Sequence, residues 1–394
     1  MGACLERATG MAVRDLLMER VIGPVGMRSS TASITDETRL DLAVGYEPAL
    51  SDRPAQLRHP LAPGNWMVTE TADGSIVSDV VDMCAYARLL LARGDVPDGR
   101  GGRVLSDAMF NLLTSDGVDD GDGGHYAYGL WTREVDGHRL VMHSGGMVGF
   151  TALLVISPDE GLGAVILQNG GGSKDLLVRH ALQVVRASVG GDPLPVVWAP
   201  PAPTAIEKTP EYVGTYTGDD GRALQIEAED DGLRLTIGPL SVRLERDPLE
   251  SEVGDVFLIP HPALDRFVLS FGRDDEGMVV EACHGPTWFR GERYRGDEPE
   301  PLPEAWAGFP GLYRNDGPWS PALRIISRKG RLALQWPSDV GDEGGDAPLL
   351  PLADGWFAVG EERDPRRIRF LGDVEGAAVV AEFNAGRWYR ASEQ

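Results

Sequence analysis

The fold is decided by residues 139–168, which run RLVMHSGGMVGFTALLVISPDEGLGAVILQ. Two apolar runs rich in β-branched residues, Thr151–Ile156 and Gly163–Gln168, have the length and composition of buried strands. The segment between them, Ser157–Gly161, has the residues of a turn. This stretch predicts a hairpin from the middle of an antiparallel sheet, preceded by a further strand at Arg139–His143.

Helical signals precede this hairpin. Apolar residues at helical spacing predict a short helix from Val13 to Val21 that ends before Pro24. A second pattern predicts a longer helix with Ser78 as its N-cap and Gly94 at its C-terminal end.

The elements nearest the hairpin are a strand and a final helix. Residues Tyr126–Trp131 are predicted to form a strand, and Ser173 to cap a helix that ends at Gly190-Gly191. Residues 1–191 are therefore expected to form a partial α/β (α+β) domain around an antiparallel sheet. The proline-rich stretch 192–206 is predicted to be an extended linker.

An internal repeat follows the linker and predicts two all-β modules, either barrels or sandwiches, at residues 207–298 and 303–394. Short alternating strands separated by turn clusters recur in both copies, and Pro299–Pro303 links them. The matching positions are Tyr212-x-Gly214-x-Tyr216 with Phe309-x-Gly311-x-Tyr313, Phe257 with Phe357, and Trp288-Phe289-Arg290 with Trp388-Tyr389-Arg390.

The composition of the chain argues against several classes of partner and site. The net charge of −24 at pH 7 argues against nucleic acid and anionic membrane surfaces as partners. The three cysteines are too few and too far apart for a disulfide framework or a Cys-x-x-Cys metal site. No apolar run is long enough for a membrane span, and no secretory pattern is recognisable, so a cytoplasmic location is the default expectation.

Several catalytic and cofactor motifs are missing from the chain. It has no Gly-x-Ser-x-Gly elbow and no His-Glu-x-x-His zinc motif. The segment Gly170–Lys174 lacks the spacing of a phosphate-binding loop, and the acidic loop around Asp116, Asp119, Asp120 and Asp122 is interpreted as solvated rather than calcium-binding. We expect no cofactor and no metal.

Seven segments, in order, resemble the C-terminal part of the β-lactamase-related serine hydrolases. That family includes class C β-lactamases, penicillin-binding-protein-like esterases and D-aminopeptidases. The segments are Glu6–Met11 with Pro24–Met27, Leu42–Tyr46, Gly74–Ser78, Leu105-Ser106, Tyr128–Trp131, His143-Ser144-Gly145-Gly146, and Gly149-Phe150.

The resemblance implies hydrolysis of an amide or ester through an acyl-serine, with a lysine and a tyrosine handling protons. It places His143 at the basic position of the third active-site motif and Ser144 at its hydroxyl position. It further implies that Gly145 lets substrate approach the strand, and that the N–H of Gly146 stabilises the oxyanion. Candidate substrates are D-amino-acid peptides, β-lactams and esters. The two β modules resemble the lipocalin-like domains of some D-aminopeptidase-like members.

The family's Ser-x-x-Lys motif is absent from this sequence. The only lysines are Lys174, Lys208 and Lys329, and the residues three positions before them are Gly171, Ala205 and Ile326. The region before the linker also lacks Tyr-x-Asn. We therefore expect a truncated hydrolase that is inactive as the isolated chain. The alternative is a non-catalytic pseudo-enzyme whose β modules bind a ligand or partner.

The same resemblance leads to an expectation about partners. If the first strands of the family's sheet are missing, the hairpin has an unpaired edge, which favours self-association. A small-molecule or peptide substrate is expected only if a missing N-terminal part completes the site.

Overall fold

The computed structural model describes residues 1–97, 102–115, 117–121, 123–197, 199, 202–246, 254–337 and 346–392. The chain divides into two compact units, one containing residues 1–47 and 62–199 and the other residues 48–61 and 200–394. Asp116 and Asp122 of the acidic loop, and residues 198, 200 and 201 of the proline-rich stretch, lie outside the described residues. Within the described ranges, no helix has both the length and the apolar character that crossing a membrane requires.

The first unit has α-helices before, between and after its strands. They are α1 (Gly2–Thr9), α2 (Val13–Leu17), α3 (Gly23–Val25), α4 (Val80–Leu91), α5 (Asp107–Thr114) and α6 (Lys174–Gly190).

The predicted helix end before Pro24 is wrong. A π-helical turn, Met18–Ile22, follows α2, and the chain continues into α3, where Pro24 occupies the first turn. Pro24 has no N–H to donate, whereas the N–H of Gly23, the residue before it, donates to the Met18 carbonyl oxygen in the π-helical pattern. Gly26, in the left-handed conformation, ends the segment.

The N-cap of α4 is one residue later than predicted. The Asp79 carboxylate, rather than the Ser78 hydroxyl, accepts the hydrogen bond from the Asp82 N–H at 2.8 Å. The prediction for α6 is confirmed, because the Ser173 hydroxyl accepts a hydrogen bond from the Leu176 N–H and Gly191 ends the helix with φ 76°.

Two strands of the first region, β1 (Tyr46–Pro48) and β2 (Leu61–Pro63), pair only with each other among the described strands. Six others form an antiparallel sheet in sequential order. These are β3 (Val118–Asp119), β4 (Gly124–Tyr126), β5 (Trp131–Val135), β6 (His138–Met147), β7 (Phe150–Ser157) and β8 (Leu162–Gln168).

The predicted hairpin is confirmed as β7 and β8, paired from Thr151–Gln168 to Ser157–Leu162. Within the described sheet, β8 is the outermost strand and not a central one. The predicted strand Tyr126–Trp131 is wrong, because this segment turns between β4 and β5. Gly129 has φ 95°, and the Ala127 N–H donates to the Leu130 carbonyl oxygen at 2.9 Å.

Both faces of β7 are buried, which explains its continuous apolar sequence. Leu154 and Ile156 pack in one cluster with Ala87 and Leu90 of α4. Leu153 and Val155 pack in another cluster with Val178 and Leu182 of α6. The sheet is thus covered by one helix on each face.

The second unit has sixteen described strands in two sets of eight. The first set is β9 (Gly214–Gly218), β10 (Ala223–Glu229), β11 (Gly232–Ile237), β12 (Leu240–Arg243), β13 (Val256–Phe257), β14 (Leu269–Arg273), β15 (Val279–His284) and β16 (Thr287–Gly291). The second is β17 (Gly311–Arg314), β18 (Ala322–Arg328), β19 (Arg331–Gln335), β20 (Asp346–Pro351), β21 (Trp356–Val359), β22 (Arg367–Val374), β23 (Ala377–Phe383) and β24 (Gly386–Arg390).

The repeat seen in the sequence has a counterpart in the strand topology. The second set closes into a barrel. The first set forms an eight-stranded sheet that runs from β12 to β13, with β9 and β16 paired at its centre. In the first set a bridge between Glu245 and Leu258 joins the segments that follow β12 and β13.

The repeated tyrosines make the same contact in each copy. The Tyr216 hydroxyl donates to the Tyr212 carbonyl oxygen at 2.8 Å, and the Tyr313 hydroxyl to the Phe309 carbonyl oxygen at 2.7 Å. Both rings are buried in aromatic cores that also contain the repeated phenylalanines, Phe257 and Phe357.

Candidate active site

The four residues of the predicted third motif, His143, Ser144, Gly145 and Gly146, lie on the second half of β6. On one side this half pairs with β7, from His143–Leu154 to Met147–Phe150. On the other side, pairing with β5 ends at Trp131–Met142. The motif therefore begins where β6 extends past its neighbour, and no described strand pairs with that side of it.

The direction of the backbone groups follows from the ladder. Asp136 and Gly137, with φ 53° and 76°, form a two-residue hairpin turn, so the pair that closes it, Val135–His138, is hydrogen-bonded. Hydrogen-bonded pairs alternate along an antiparallel ladder. Even-numbered residues of β6 therefore direct their N–H and C=O groups toward β5, and odd-numbered residues direct theirs toward β7.

Ser144 and Gly146 are even-numbered and lie beyond the end of β5, so their backbone groups point to the unpaired side, which we call the open edge. Gly145 and Gly146 are exposed. A Cβ atom added to Gly146 would meet nothing within 4 Å, and one on Gly145 would meet the Ala152 Cβ at an ordinary 3.7 Å. On the open edge, the N–H groups of Ser144 and Gly146 thus have no partner strand among the described residues, and there is room for another molecule.

His143 is half-buried and contacts two aromatic rings. The Trp131 ring stacks on the imidazole with centroids 4.7 Å apart and an interplanar angle of 22°. The Tyr126 hydroxyl lies 3.3 Å from Nε2. Burial lowers the pKa of His143 below its ordinary value, and a hydrogen bond with the Ser144 backbone opposes this in part.

The turn after the motif is fixed by the segment Val44–Glu47. The Glu47 carboxylate accepts a hydrogen bond from the Gly149 N–H at 2.9 Å. The Asn169 side-chain amide donates to the Val44 carbonyl oxygen at 2.8 Å, and the Tyr46 N–H donates to the Asn169 carbonyl oxygen at 3.1 Å. These contacts connect the β6–β7 turn to the end of β8.

Gly149 permits a close backbone approach in this turn. It has φ 77°, and a Cβ atom there would lie 2.8 Å from the Gly45 carbonyl carbon. We expect Gly149→Ala to lower the free energy of unfolding by more than the roughly 1–2 kcal/mol of left-handed strain alone. Urea unfolding measures this, with Gly146→Ala as the unstrained control. Equal stability of the two variants would contradict the prediction.

The residues that partly fit the missing motifs have other roles. Lys329 pairs with Glu281 in the second unit. Tyr313-Arg314-Asn315 matches Tyr-x-Asn in sequence, but Tyr313 is a core residue whose hydroxyl bonds the Phe309 carbonyl oxygen. In the described ranges, no three His, Cys, Asp or Glu side chains are grouped to hold a metal ion.

Sequence reasoning missed Tyr126 and Trp131 as part of this site. It placed both in one strand, whereas the turn between them sets them side by side next to His143. Gly129 within Tyr128-Gly129-Leu130-Trp131 was the available signal for a turn.

The comparison with family models matches residues 1–187 to the β-lactamase family. These residues belong to the β-lactamase-related serine hydrolase family. The family assignment made from the seven segments is therefore confirmed for the first region of the chain.

Curated proteins that are similar to this chain include bacterial D-aminopeptidases. One from Cereibacter sphaeroides is 31% identical over 167 residues, covering 42% of this chain and 29% of that protein. One from Brucella melitensis is 26% identical over 309 residues, covering 75% of this chain and 52% of that protein. The chain thus spans about half or less of the length of these relatives.

A comparison with solved structures finds proteins of lower sequence identity. The octameric penicillin-binding protein homologue from Pyrococcus abyssi is 20% identical, with a TM-score of 0.43 over 73% of this chain and 62% of that one. A class C β-lactamase is 12% identical, with a TM-score of 0.33 over 44% of this chain and 51% of that one.

Proposed function

We propose that the first unit is the C-terminal part of an acyl-serine hydrolase for amide or ester bonds. The observation that supports this most directly is the open edge of β6, where the third-motif residues lie with unpaired backbone donors. D-Amino-acid peptides are the leading substrate class, because D-aminopeptidases recur among the relatives. β-Lactams and esters are the other candidates.

The open edge has a definite part in this chemistry. When a serine hydroxyl attacks an acyl carbon, negative charge develops on the carbonyl oxygen, and a preorganised N–H donor stabilises it. The Gly146 N–H is directed to the open edge and is available for this purpose. The Ser144 hydroxyl and the His143 imidazole lie on the same strand and would orient the rest of the substrate.

The nucleophile must come from residues outside this sequence, because no serine here stands three residues before a lysine. The expected result is that the 394-residue chain acquires no covalent adduct from a fluorophosphonate or a penicillin. Intact-mass spectrometry measures this. The comparison protein joins the chain to an N-terminal segment that supplies Ser-x-x-Lys and Tyr-x-Asn.

Labelling of the joined protein alone, lost when the supplied serine is changed to alanine, would support the proposal. Labelling of the 394-residue chain by itself would contradict the proposed inactivity. If neither protein is labelled or hydrolyses a D-alanine anilide, the proposed function fails.

The alternative, ligand binding by the β modules, receives little support from their interiors. Each described core is filled by large side chains, including Tyr216, Phe257 and Phe271 in one copy and Tyr313, Phe357 and Phe383 in the other. Self-association through the outer edge of β8 stays a prediction.

A further inference from the structure

The turn between β4 and β5 brings two aromatic rings to the start of the open edge. Tyr126 is the last residue of β4 and pairs with Trp131, the first residue of β5. Their ring centroids are 4.9 Å apart and the planes are inclined at 56°. Such an aromatic pair is stabilising beyond the area that it buries.

Both rings contact the same imidazole from different directions. Trp131 covers a face of the His143 ring, and the Tyr126 hydroxyl lies against its Nε2 edge. The Tyr126 side chain remains exposed while it makes this contact. Packing therefore does not require a tyrosine there, and the hydroxyl is the group with a specific partner.

We propose that Tyr126 and Trp131 are positioning residues for His143: the Tyr126 hydroxyl donates a hydrogen bond to Nε2, and the Trp131 ring fixes the imidazole plane. In this arrangement Nε2 is unprotonated and Nδ1 holds the ring proton of the neutral imidazole. The phenol oxygen keeps lone pairs that can accept a hydrogen bond from a molecule at the open edge.

The positioning itself is a property of the 394-residue chain, whereas its consequence for turnover rests on the proposed function. A hydroxyl that only filled space would leave the tautomer of His143 unaffected. The tautomer is therefore the readout that separates positioning from ordinary packing.

The experiment is NMR of the full chain with ¹⁵N-labelled histidine, in which the chain's seven histidines are resolved and His143 is assigned with a His143→Gln variant. We expect the parent protein to show a predominant Nδ1–H tautomer at His143. Tyr126→Phe should convert it to a mixture of tautomers, and Trp131→Leu should broaden or shift the signals, with recovery in Trp131→Phe.

Tyr128→Phe is the matched control, because Tyr128 lies in the same turn with its side chain 70% exposed. It should leave the His143 signals unchanged. An unchanged tautomer in Tyr126→Phe, or a parent protein with the proton on Nε2, would overturn the proposal. Circular dichroism of each variant shows that the fold is retained.

In the joined protein, Tyr126→Phe should lower kcat by about 10-fold to 100-fold with little change in KM, since small displacements of a site group have effects of that order. Tyr128→Phe should have the parent kcat. A joined protein that shows the tautomer shift but no hydrolysis would contradict the proposed function while supporting the positioning role. Unchanged kcat in an active Tyr126→Phe protein would show that the positioning of His143 has no consequence for turnover.

Discussion

Replacing Asp265 with alanine should lower the free energy of unfolding of the second unit by about 3–5 kcal/mol, the usual effect of removing one partner from a buried charge network. The Asp265 side chain is only 5% exposed. It accepts a hydrogen bond from Arg53 at 2.9 Å and contacts His59 Nε2 at 3.2 Å and Arg58 at 3.7 Å. Its loss leaves the largely buried Arg53 and His59 side chains with fewer partners.

All three partners of Asp265 come from residues 48–61, which belong to the second unit although they lie between strands β1 and β2. The segment has further contacts with both β modules. Arg58 donates to the Ile259 carbonyl oxygen at 3.2 Å, and the buried Arg324 donates to the Asp52 carbonyl oxygen at 2.9 Å. Asp265 therefore stabilises a segment that would otherwise be a long surface loop.

Urea unfolding followed by tryptophan fluorescence measures this effect, because six of the nine tryptophans lie in the second unit. Asp220→Ala is the matched control, since its ion pair with Arg222 is exposed and such pairs contribute about 1 kcal/mol or less. Proteolysis within 48–61 should also become faster in Asp265→Ala. A loss of stability no greater than that of the control would contradict the buried-network argument.

Local patterns in the sequence predicted the elements whose formation depends on neighbouring residues. The hairpin β7–β8, the cap of α6 and the paired tyrosines of the β repeat all follow from spacing within short segments. The strand placed at Tyr126–Trp131 failed because alternating aromatic residues are also compatible with a turn, and one glycine decided the outcome. His143 was found from its motif, but its two ring contacts depend on that turn.

Residues 48–61 illustrate what short-range patterns do not contain. Arg53, Arg58 and His59 look like part of an ordinary solvated loop, but all three contact Asp265, which is some two hundred residues away. Only the folded chain brings these charges together. The family resemblance implied that substrate approaches the strand at Gly145, but short-range patterns do not show where β5 begins relative to β6.

The second large effect is expected at Gly146, where Gly146→Pro should lower kcat of the joined protein by about 10²–10³-fold, the usual effect of losing one oxyanion-hole donor. Proline removes the N–H, adds a ring and restricts φ, and it is tolerated where a strand's N–H faces away from its partner. Because hydrogen-bonded pairs alternate along β6, the Gly146 N–H faces away from β7. The variant should therefore fold.

Two neighbouring variants make this result specific to the N–H group. Gly146→Ala keeps the donor, and its Cβ would meet nothing within 4 Å, so its kcat should stay near that of the parent. Gly145→Pro removes an N–H directed toward β7 and should cost about 1–3 kcal/mol of stability. Comparing kcat with urea unfolding for all three separates the lost donor from lost folding. If Gly146→Pro keeps the parent kcat in a joined protein that is active, the Gly146 N–H does not stabilise the oxyanion, and the donor must lie elsewhere along the open edge.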